Sequence, residues 1–282
     1  MSPSTQSDNA ADFLTLHTPG TPLLMPNAWD IGSAKLFEAL DIKAIATTSG
    51  GFAATRGRLD GAMTKPEVLA HTAELATAVD IPVSADLENC FAHDPEGVAA
   101  TIEEAIATGL AGGSVEDFTG KTNDHHGNYA DQPIYELGHA TDRVRAAAEA
   151  AHSGPIHFVL TARAENYLHG RVDLADTIKR MQAYQEAGAD VLFAPGVVDP
   201  KELEQLIKAV DIPVSVLMLP NGPTVGGLAD LGVARISVGG AIAVAAYGTA
   251  IKAVTELREQ GTASYWELTK SARSTIQAAF TR

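Results

Sequence analysis

Eight short apolar runs alternate with helical segments along this chain, and that alternation limits the fold more than any other feature. The predicted strands cover residues 23–25, 44–48, 83–88, 113–117, 156–161, 191–194, 214–219 and 235–238. The predicted helices cover residues 31–40, 65–78, 94–109, 141–152, 174–187, 201–210, 225–231, 241–259 and 265–280. Strands that alternate with helices in this way form parallel sheets with helical crossovers. The pattern therefore predicts an α/β protein built on a parallel sheet.

The length of 282 residues favours closure of that sheet into a (β/α)8 TIM barrel over a doubly wound sheet. No G-x-G-x-x-G sequence follows the first strand to indicate a dinucleotide-binding fold. The sequence of residues 78–84 recurs identically at 209–215, before the third and seventh predicted strands, which would be opposite each other in an eight-strand ring. We predict one barrel domain over residues 1–282, with disorder at 1–10 and extra C-terminal helices at 241–282. Those helices would pack on the barrel wall or be exchanged with a neighbouring subunit.

Charge and composition exclude several classes of partner. The formal net charge is -15 and the pI about 4.9, whereas nucleic acids and anionic membranes are bound through basic surfaces. The chain has a single cysteine, which excludes an internal disulfide and is typical of a reducing cytoplasm. The N-terminus lacks the features of a signal peptide, and no apolar run is long enough to span a bilayer. We therefore expect a cytoplasmic protein with a small-molecule partner.

Two carboxylates end the third predicted strand in the sequence Asp86-Leu87-Glu88. Residues two apart on a strand point to the same side, so both acids would face one way. Paired carboxylates at a strand end are typical ligands for Mg²⁺ or Mn²⁺, because hard cations prefer oxygen donors. The alternative is that both acids lie in a solvated loop just beyond the strand.

Polar residues and glycines also lie at or just after the carboxyl ends of several other predicted strands. They are Ser49, Gly50, Gly51, Glu116, Asp117, Arg163 and Asn221. In a TIM barrel the carboxyl ends of the strands meet at one mouth, where active sites lie. A chain of this charge should repel an anionic substrate unless a divalent ion and an arginine reverse the local field. We therefore predict a small anionic substrate that the ion chelates and Arg163 clamps.

These segments together resemble the isocitrate lyase/phosphoenolpyruvate mutase superfamily over nearly the whole chain. The matching segments are residues 26–30 (P-N-A-W-D), 47–51 (T-T-S-G-G), Asp60, 86–88 (D-L-E), 114–117 (S-V-E-D), 162–163 (A-R), 187–190 (A-G-A-D) and 231–237 (L-G-V-A-R-I-S). The resemblance implies a (β/α)8 barrel, commonly a homotetramer in which a C-terminal helix is exchanged between subunits. It also implies Mg²⁺-dependent making or breaking of C–C or P–C bonds through a pyruvate-like enolate.

The resemblance further implies roles for individual residues. Asp86 would bind Mg²⁺ directly, while Asp60, Glu88 and Glu116 would hold the water shell of the ion. Asp86 would also contact the substrate, whose carboxylate would be bound by Ser49, Gly50 and Gly51, largely through backbone N–H groups. Arg163 would hold the substrate oxygens. Catalytic roles would fall to Arg163, Glu116 and Lys121.

The polar stretch at residues 118–132 departs from one branch of the superfamily. Isocitrate and methylisocitrate lyases carry a K-[KR]-C-G-H lid whose cysteine is the catalytic acid, and here the region reads Gly-Lys-Thr-Asn-Asp-His-His-Gly at 120–127. Lys121-Thr122-Asn123 resembles the K-T-N lid of phosphoenolpyruvate mutases, although it lies one residue closer to the acid pair at 116–117. The sole cysteine, Cys90, is interpreted as a small filler of the core. His125 and His126 are either solvated or proton donors after lid closure.

Three hypotheses about function follow. The first is an Mg²⁺-dependent lyase or decarboxylase that acts on a 2-oxo or 2-hydroxy acid without a cysteine acid. The second is phosphorus–carbon bond chemistry of the phosphoenolpyruvate mutase or phosphonopyruvate hydrolase type. The third is a non-catalytic protein that binds 2-oxo acids.

Overall fold

The computed structural model describes residues 5–120 and 133–281. Its parallel strands are β1 (Leu23–Met25), β2 (Asn27–Ala28), β3 (Ile45–Thr47), β4 (Val83–Asp86), β5 (Gly112–Glu116), β6 (Val159–Arg163), β7 (Val191–Phe193), β8 (Val214–Leu217) and β9 (Arg235–Ser237). They are hydrogen-bonded in the order β1-β9-β8-β7-β6-β5-β4-β3-β2. The two ends of this order are adjacent in sequence, so the sheet curls round to meet itself. The predicted TIM barrel is confirmed.

The first barrel strand is divided into two short pieces at Pro26. Its lower piece, β1, pairs with β9, and its upper piece, β2, pairs with β3. Proline lacks the N–H that a strand in the middle of a sheet would donate on one side. The prediction of eight strands and the observed nine therefore describe the same barrel, because the proline splits one strand.

The helices agree closely with the predicted segments. They are α1 (Gln6–Thr15), α2 (Ile31–Ala39), α3 (Ser49–Thr55), α4 (Lys65–Ala78), α5 (Pro95–Ile106), α6 (Leu137–His152), α7 (Leu174–Glu186), α8 (Pro200–Lys208), α9 (Val225–Asp230), α10 (Ala241–Gln260) and α11 (Trp266–Phe280). Asp30 and Asp94 cap their helices, since each side chain accepts a backbone N–H of the first turn. Thr64 and Glu67, whose Thr-Lys-Pro-Glu spacing is typical of a capping box, form one at the start of α4.

The N-terminal segment differs from the expectation of disorder at residues 1–10. Residues 6–10 form the first turns of α1, which starts with a capping box between Thr5 and Asp8. Ala10 and Phe13 are buried against the first residues of several strands, including Val159 and Val191. Helix α1 therefore covers the amino-terminal end of the barrel. Its few apolar residues did not suggest this role, because the partners that bury them are far away in sequence.

The C-terminal helices leave many apolar side chains exposed. Helix α11 packs on α2, but α10 presents Val244, Tyr247, Ile251 and Val254 to solvent. Among the described helices, none is long and apolar enough to cross a membrane.

Candidate active site

A cavity of about 200 Å³ enters the barrel from the carboxyl ends of the strands. Ser49, Asp60, Asp86 and Arg163 lie on its upper wall. Deeper in, its wall is made by small side chains, among them Ser84, Ser114, Thr161 and Ser237. Barrel interiors are usually filled by bulky branched residues. The small residues here leave room for a ligand inside the barrel.

Arg163 is the centre of charge in this cavity. It ends β6, and its guanidinium contacts three carboxylates through three different nitrogens. Nη1 lies 2.8 Å from Asp86 Oδ1, Nη2 lies 3.1 Å from Glu116 Oε2, and Nε lies 2.7 Å from Glu165 Oε1. Such charge-assisted contacts fix the guanidinium plane and keep it charged. The burial of Arg163 alone would lower its pKa, but these acids raise the pKa well above the ordinary value.

Asp86 is held by neighbours on both of its oxygens. Oδ1 accepts from Arg163, and Oδ2 accepts the backbone N–H of Ser49 at 3.0 Å. The Asp86 N–H in turn donates to Thr47 Oγ1 at 2.9 Å. Oδ1 also accepts the backbone N–H of Glu88 at 3.5 Å, so Oδ2 is the oxygen that keeps a lone pair for a cation. These contacts position the carboxylate between β3, β4 and β6.

The loop after β4 carries an unusual run of backbone strain. Glu88, Cys90 and Phe91 have φ angles of 52°, 59° and 54°, in the left-handed region that non-glycine residues seldom adopt. Arg143, buried on α6, stabilises the loop by donating to the carbonyl oxygens of residues 89, 92 and 116. The loop holds Glu88 close enough to Asp86 and Asp60 for their charges to raise its pKa.

The cluster of carboxylates carries more negative charge than Arg163 can balance. Burial, followed by the charges of Asp86 and Asp60, raises the pKa of Glu88 to about 8. The pKa of Glu116 is also raised well above its ordinary value by burial, against the opposing effect of Arg163. Desolvation and the charge of Asp86 raise the pKa of Asp60. Raised pKa values across a cluster of acids are typical of a functional site, and a bound cation would lower these pKa values again.

The donor set fits a hydrated divalent cation. Glu88 Oε1 is buried and has no hydrogen-bond partner among the described residues, as expected for an atom that would contact a cation or its water. No three of the acids Asp60, Asp86, Glu88 and Glu116 bring oxygens within 4.8 Å of one another. The acids therefore form no closed cage, and they suit an ion bound by one or two carboxylates with water as its remaining ligands.

Comparison with known proteins gives the family. Residues 13–258 match the family model described as phosphoenolpyruvate phosphomutase. The chain belongs to this family. It is also a member of the wider isocitrate lyase/phosphoenolpyruvate mutase superfamily and an enzyme of the lyase type found there.

Three relatives show how far the similarity in sequence and structure extends. A solved structure from Burkholderia cenocepacia J2315, described as a lyase or mutase, is 45% identical, with a TM-score of 0.90, over 98% of this chain and 97% of that one. A second from the same organism, described as a phosphonomutase, is 32% identical with a TM-score of 0.79, over 91% and 100%. The 2-methylisocitrate lyase of Escherichia coli (strain K12) is 30% identical over 224 residues, which are 75% of this chain and 73% of that protein.

The structure brings most of the predicted site residues of this family member together. Ser49, Asp60, Asp86 and Arg163 line the cavity, and Glu116 joins them through its ion pair with Arg163. The two glycines lie just behind the cavity wall, at the start of α3. A Cβ at Gly50 would meet the Asp60 carboxyl carbon at 3.2 Å, and one at Gly51 would meet Thr48 Cγ2 at 2.5 Å.

Other singled-out residues lie elsewhere. Asp117 points away from the cavity and is buried against Arg180, Tyr184 and the N–H of Glu165, so it is a structural acid. Asn221 lies in an exposed turn and does not line the cavity. Cys90 is fully buried, which raises its thiol pKa to about 12 and confirms its interpretation as a filler. Lys121, His125 and His126 lie outside the described residues.

The sequence analysis did not identify two residues of this site. Glu165 is the third carboxylate on Arg163, and Arg235 lies deep in the cavity wall. The first had a signal, since Arg163 and Glu165 have the same i, i+2 spacing as Asp86 and Glu88. The second was also visible as a charged residue inside an apolar strand, next to Ala234 and Ile236.

Proposed function

We propose that this protein is an Mg²⁺-dependent enzyme that cleaves a C–C bond, as a lyase or decarboxylase, in a small 2-oxo or 2-hydroxy carboxylic acid. The observation that carries the proposal is the excess of carboxylates around Arg163 at the mouth of a cavity. A divalent cation would supply the missing positive charge, and Mn²⁺ could serve in its place. The lyase type of the superfamily is consistent with this chemistry.

The proposed roles follow from the contacts of each residue. Asp86 is the direct ligand of the ion, because it lies at the cavity wall and its Oδ2 accepts a single hydrogen bond, from the N–H of Ser49. Asp60, Glu88 and Glu116 accept hydrogen bonds from the water shell. When bound, the ion supplies Lewis-acid stabilisation of the oxygen that becomes negative as the bond breaks.

The remaining residues position the substrate. In the first turn of α3, the N–H of Gly50 is the group offered to a substrate carboxylate, because the N–H of Ser49 donates to Asp86 and that of Gly51 donates to Thr48. Arg163 cannot rotate freely because three acids hold it, so it presents a fixed positive charge to the substrate oxygens. That fixed charge stabilises the additional negative charge of the enolate, relative to the keto form of the substrate, at no cost of reorganisation.

The proton donor of this reaction is not Cys90. Its thiol is sealed in the core and its pKa is raised to about 12, so it neither reaches a substrate nor ionises near neutral pH. Lys121, with a proposed catalytic role from the superfamily resemblance, remains a candidate together with His125 and His126. Each of these three stays a prediction.

A substrate panel with and without EDTA tests the proposal. Release of pyruvate from oxaloacetate, or of glyoxylate from a 2-hydroxy diacid, is expected with Mg²⁺ and not with EDTA. Asp86→Ala, which removes the proposed direct ligand of the ion, should show no turnover even with Mg²⁺ and serves as the inactive control. If no panel member turns over but 2-oxo acids bind by calorimetry, the protein is a binding protein rather than a lyase.

Phosphorus–carbon chemistry is the second candidate. It is favoured by the 32% identity to the protein described as a phosphonomutase and by the Lys121-Thr122-Asn123 sequence. Phosphorus NMR on phosphonopyruvate would detect either its rearrangement or its hydrolysis.

We further propose that the enzyme works as a cytoplasmic homo-oligomer, with a tetramer favoured. The support is the row of exposed apolar residues on α10, which is described below, and the reduced state expected for the lone cysteine.

A further inference from the structure

We propose that Arg235 forms a second anion-binding position at the floor of the cavity. The second acidic group of the substrate, a carboxylate or a phosphonate, would rest on this guanidinium while the first lies near Asp86 and Arg163. The inference rests on the proposed function and adds to it the residue that selects acids with two acidic groups over monoacids.

The hydrogen bonds of Arg235 to the described residues are all to neutral groups. Nε donates to Ser215 Oγ at 2.9 Å, and Nη1 donates to Thr161 Oγ1 at 3.0 Å. Nη1 also lies 3.2 Å from Nε2 of His17, whose pKa is lowered to about 3 by burial and by the charge of Arg235, so that it is neutral. Within the described part of the chain, no carboxylate lies within 4.0 Å of this guanidinium.

Two other buried arginines show the contrast, since Arg163 has three carboxylate partners and Arg180 pairs with Asp117 at 3.0 Å. Arg143 resembles Arg235 in that no carboxylate among the described residues pairs with it, but it donates to three backbone carbonyls and does not line the cavity. A buried charge without a counter-ion is costly. Burial and the charge of Arg163 lower the pKa of Arg235 to about 9, so at neutral pH the guanidinium still carries its charge. An anion in the cavity would remove that cost.

One donor of Arg235 is available to such an anion. Among the described residues, Nη2 of Arg235 has no hydrogen-bond partner. It is also accessible to solvent, because it is absent from the set of buried polar atoms without a partner. Arg235 itself is 3% exposed and lines the cavity. The free donor therefore faces the space that a ligand would fill.

The spacing of the two arginines suits a short dianion. Thr161 and Arg163 are two residues apart on β6, so both point into the barrel, one layer above the other. Since Arg235 donates to Thr161, it occupies the lower layer, about 7 Å from that of Arg163 along the strand direction. The small side chains of Ser84 and Ser114 leave the intervening space open. A short-chain diacid spans this distance, whereas a monoacid such as lactate reaches one layer alone.

Calorimetry on a matched pair of ligands tests the inference. Malate and lactate differ by one terminal carboxylate, and each would be titrated into the full-length protein with Mg²⁺ at pH 7. We expect wild type to bind malate about 10- to 100-fold more tightly than lactate, the range for one charge-assisted contact. Arg235→Met should abolish that preference by weakening malate alone, and Arg235→Lys should restore part of it. Lys208→Met removes one exposed charge far from the cavity and should change neither ligand.

A metal-free measurement separates this inference from the proposed function. In EDTA, inorganic phosphate should raise the melting temperature of wild type and of Lys208→Met more than that of Arg235→Met. If neither acid binds wild type with Mg²⁺ but phosphate still shows this difference, the proposed function fails and the anion site at Arg235 stands. If Arg235→Met weakens malate and lactate equally, or changes neither ligand nor the phosphate effect, Arg235 is a structural residue and the inference is overturned. Because the charge is unpaired, the ligand-free variant should fold and be at least as stable as wild type.

Discussion

At the scale of single residues, neighbours decide what each acid can do. Asp117 and Glu116 are adjacent in sequence, yet Asp117 is fully satisfied by Arg180 and Tyr184 at the outside of the barrel. Glu116 points the other way, to Arg163 and the cavity. Glu88 Oε1 has no hydrogen-bond partner among the described residues. Acids of the same type are therefore structural where their hydrogen bonds are complete and available to a ligand where they are not.

Asp86→Ala should abolish Mg²⁺-dependent ligand binding. The substitution removes the proposed direct ligand of the ion, and it leaves Arg163 with two carboxylates instead of three. We expect the affinity for pyruvate in the presence of Mg²⁺, measured by calorimetry, to fall by about 100-fold or more. Asp80→Ala, which removes an exposed acid remote from the cavity, is the control. Intact binding by Asp86→Ala would place the metal site elsewhere.

Glu88 should make the metal-free protein less stable as the pH rises. Its pKa is about 8 in the folded state and near 4.5 when unfolded, so between these values the folded protein binds a proton that the unfolded chain lacks. Raising the pH removes that proton and with it stability. In EDTA we expect the free energy of unfolding to fall by on the order of 2 kcal/mol from pH 5 to pH 8.

Urea denaturation across this pH range provides the measurement. Mg²⁺ should flatten the pH dependence, because a bound cation favours the ionised carboxylate. Glu88→Gln should flatten it even in EDTA. A pH dependence that is the same in wild type and in Glu88→Gln would show that another group causes it.

At the scale of elements, the short helix α3 joins the substrate side of the site to the metal side. It begins directly after β3, capped by Thr48, whose side chain accepts the N–H of Gly51 at 3.3 Å. Its first residue donates to Asp86, and its second packs on Asp60. No helix was predicted for residues 49–55, and glycine is a poor helix former. The tertiary contacts explain the glycines: a Cβ at Gly51 would clash with Thr48 Cγ2 at 2.5 Å, and one at Gly50 would crowd the Asp60 side chain at 3.2 Å.

Gly50→Ala should weaken metal binding with little effect on stability. The new methyl group would lie 3.2 Å from the Asp60 carboxyl carbon and push that acid outward. We expect Mn²⁺ affinity, measured by electron paramagnetic resonance, to fall by roughly 3- to 10-fold, as for the loss of an outer-shell partner. Gly138→Ala on α6 meets no atom within 4 Å and serves as the control. Equal Mn²⁺ affinity in both variants would remove Asp60 from the site.

At the scale of the whole molecule, one face of helix α10 is not covered by the described residues of its own chain. Val244, Tyr247, Ile251 and Val254 recur on α10 with spacings of three and four residues, so they share one face. Three of them are at least 65% exposed, namely Val244, Ile251 and Val254. A row of exposed apolar residues on one face is typical of a subunit interface.

Ile251→Asp should convert the proposed oligomer to smaller species while the barrel stays folded. A charge in the middle of the apolar face would have to be desolvated on association. Light scattering with size-exclusion chromatography would report the mass, and circular dichroism would report the fold. Thr249→Asp places the same charge on the opposite face of α10 and should leave the mass unchanged. If both variants keep the wild-type mass, this face is not the interface.

Local patterns were sufficient to predict the barrel and the acids at its mouth. Apolar runs of strand length, helix caps such as Thr64 and Asp94, and the i, i+2 spacing of Asp86 and Glu88 all depend on residues close in sequence. The strand period accounts for Asp86, which ends β4. The predicted strand at residues 83–88 was too long, because Glu88 lies in the following loop with a positive φ. The conformation of that loop, and not the period of two, sets the position of Glu88. The role of α1 was missed, because Phe13 is buried by residues such as Val159, far along the chain.

The sequence by itself therefore determined the alternation of strands and helices, the barrel that it builds and the group of acids at the carboxyl ends of its strands. Only the tertiary structure decided how the charges are paired. Arg163 contacts Asp86 across 77 residues of sequence, and Arg235 reaches Thr161 across 74 and finds no acid among the described residues. The reason is physical: a strand pattern sets the direction of a side chain, but the distance between two charges depends on where the closed barrel places their strands. That distance leaves one arginine neutralised by three acids and the other facing the cavity.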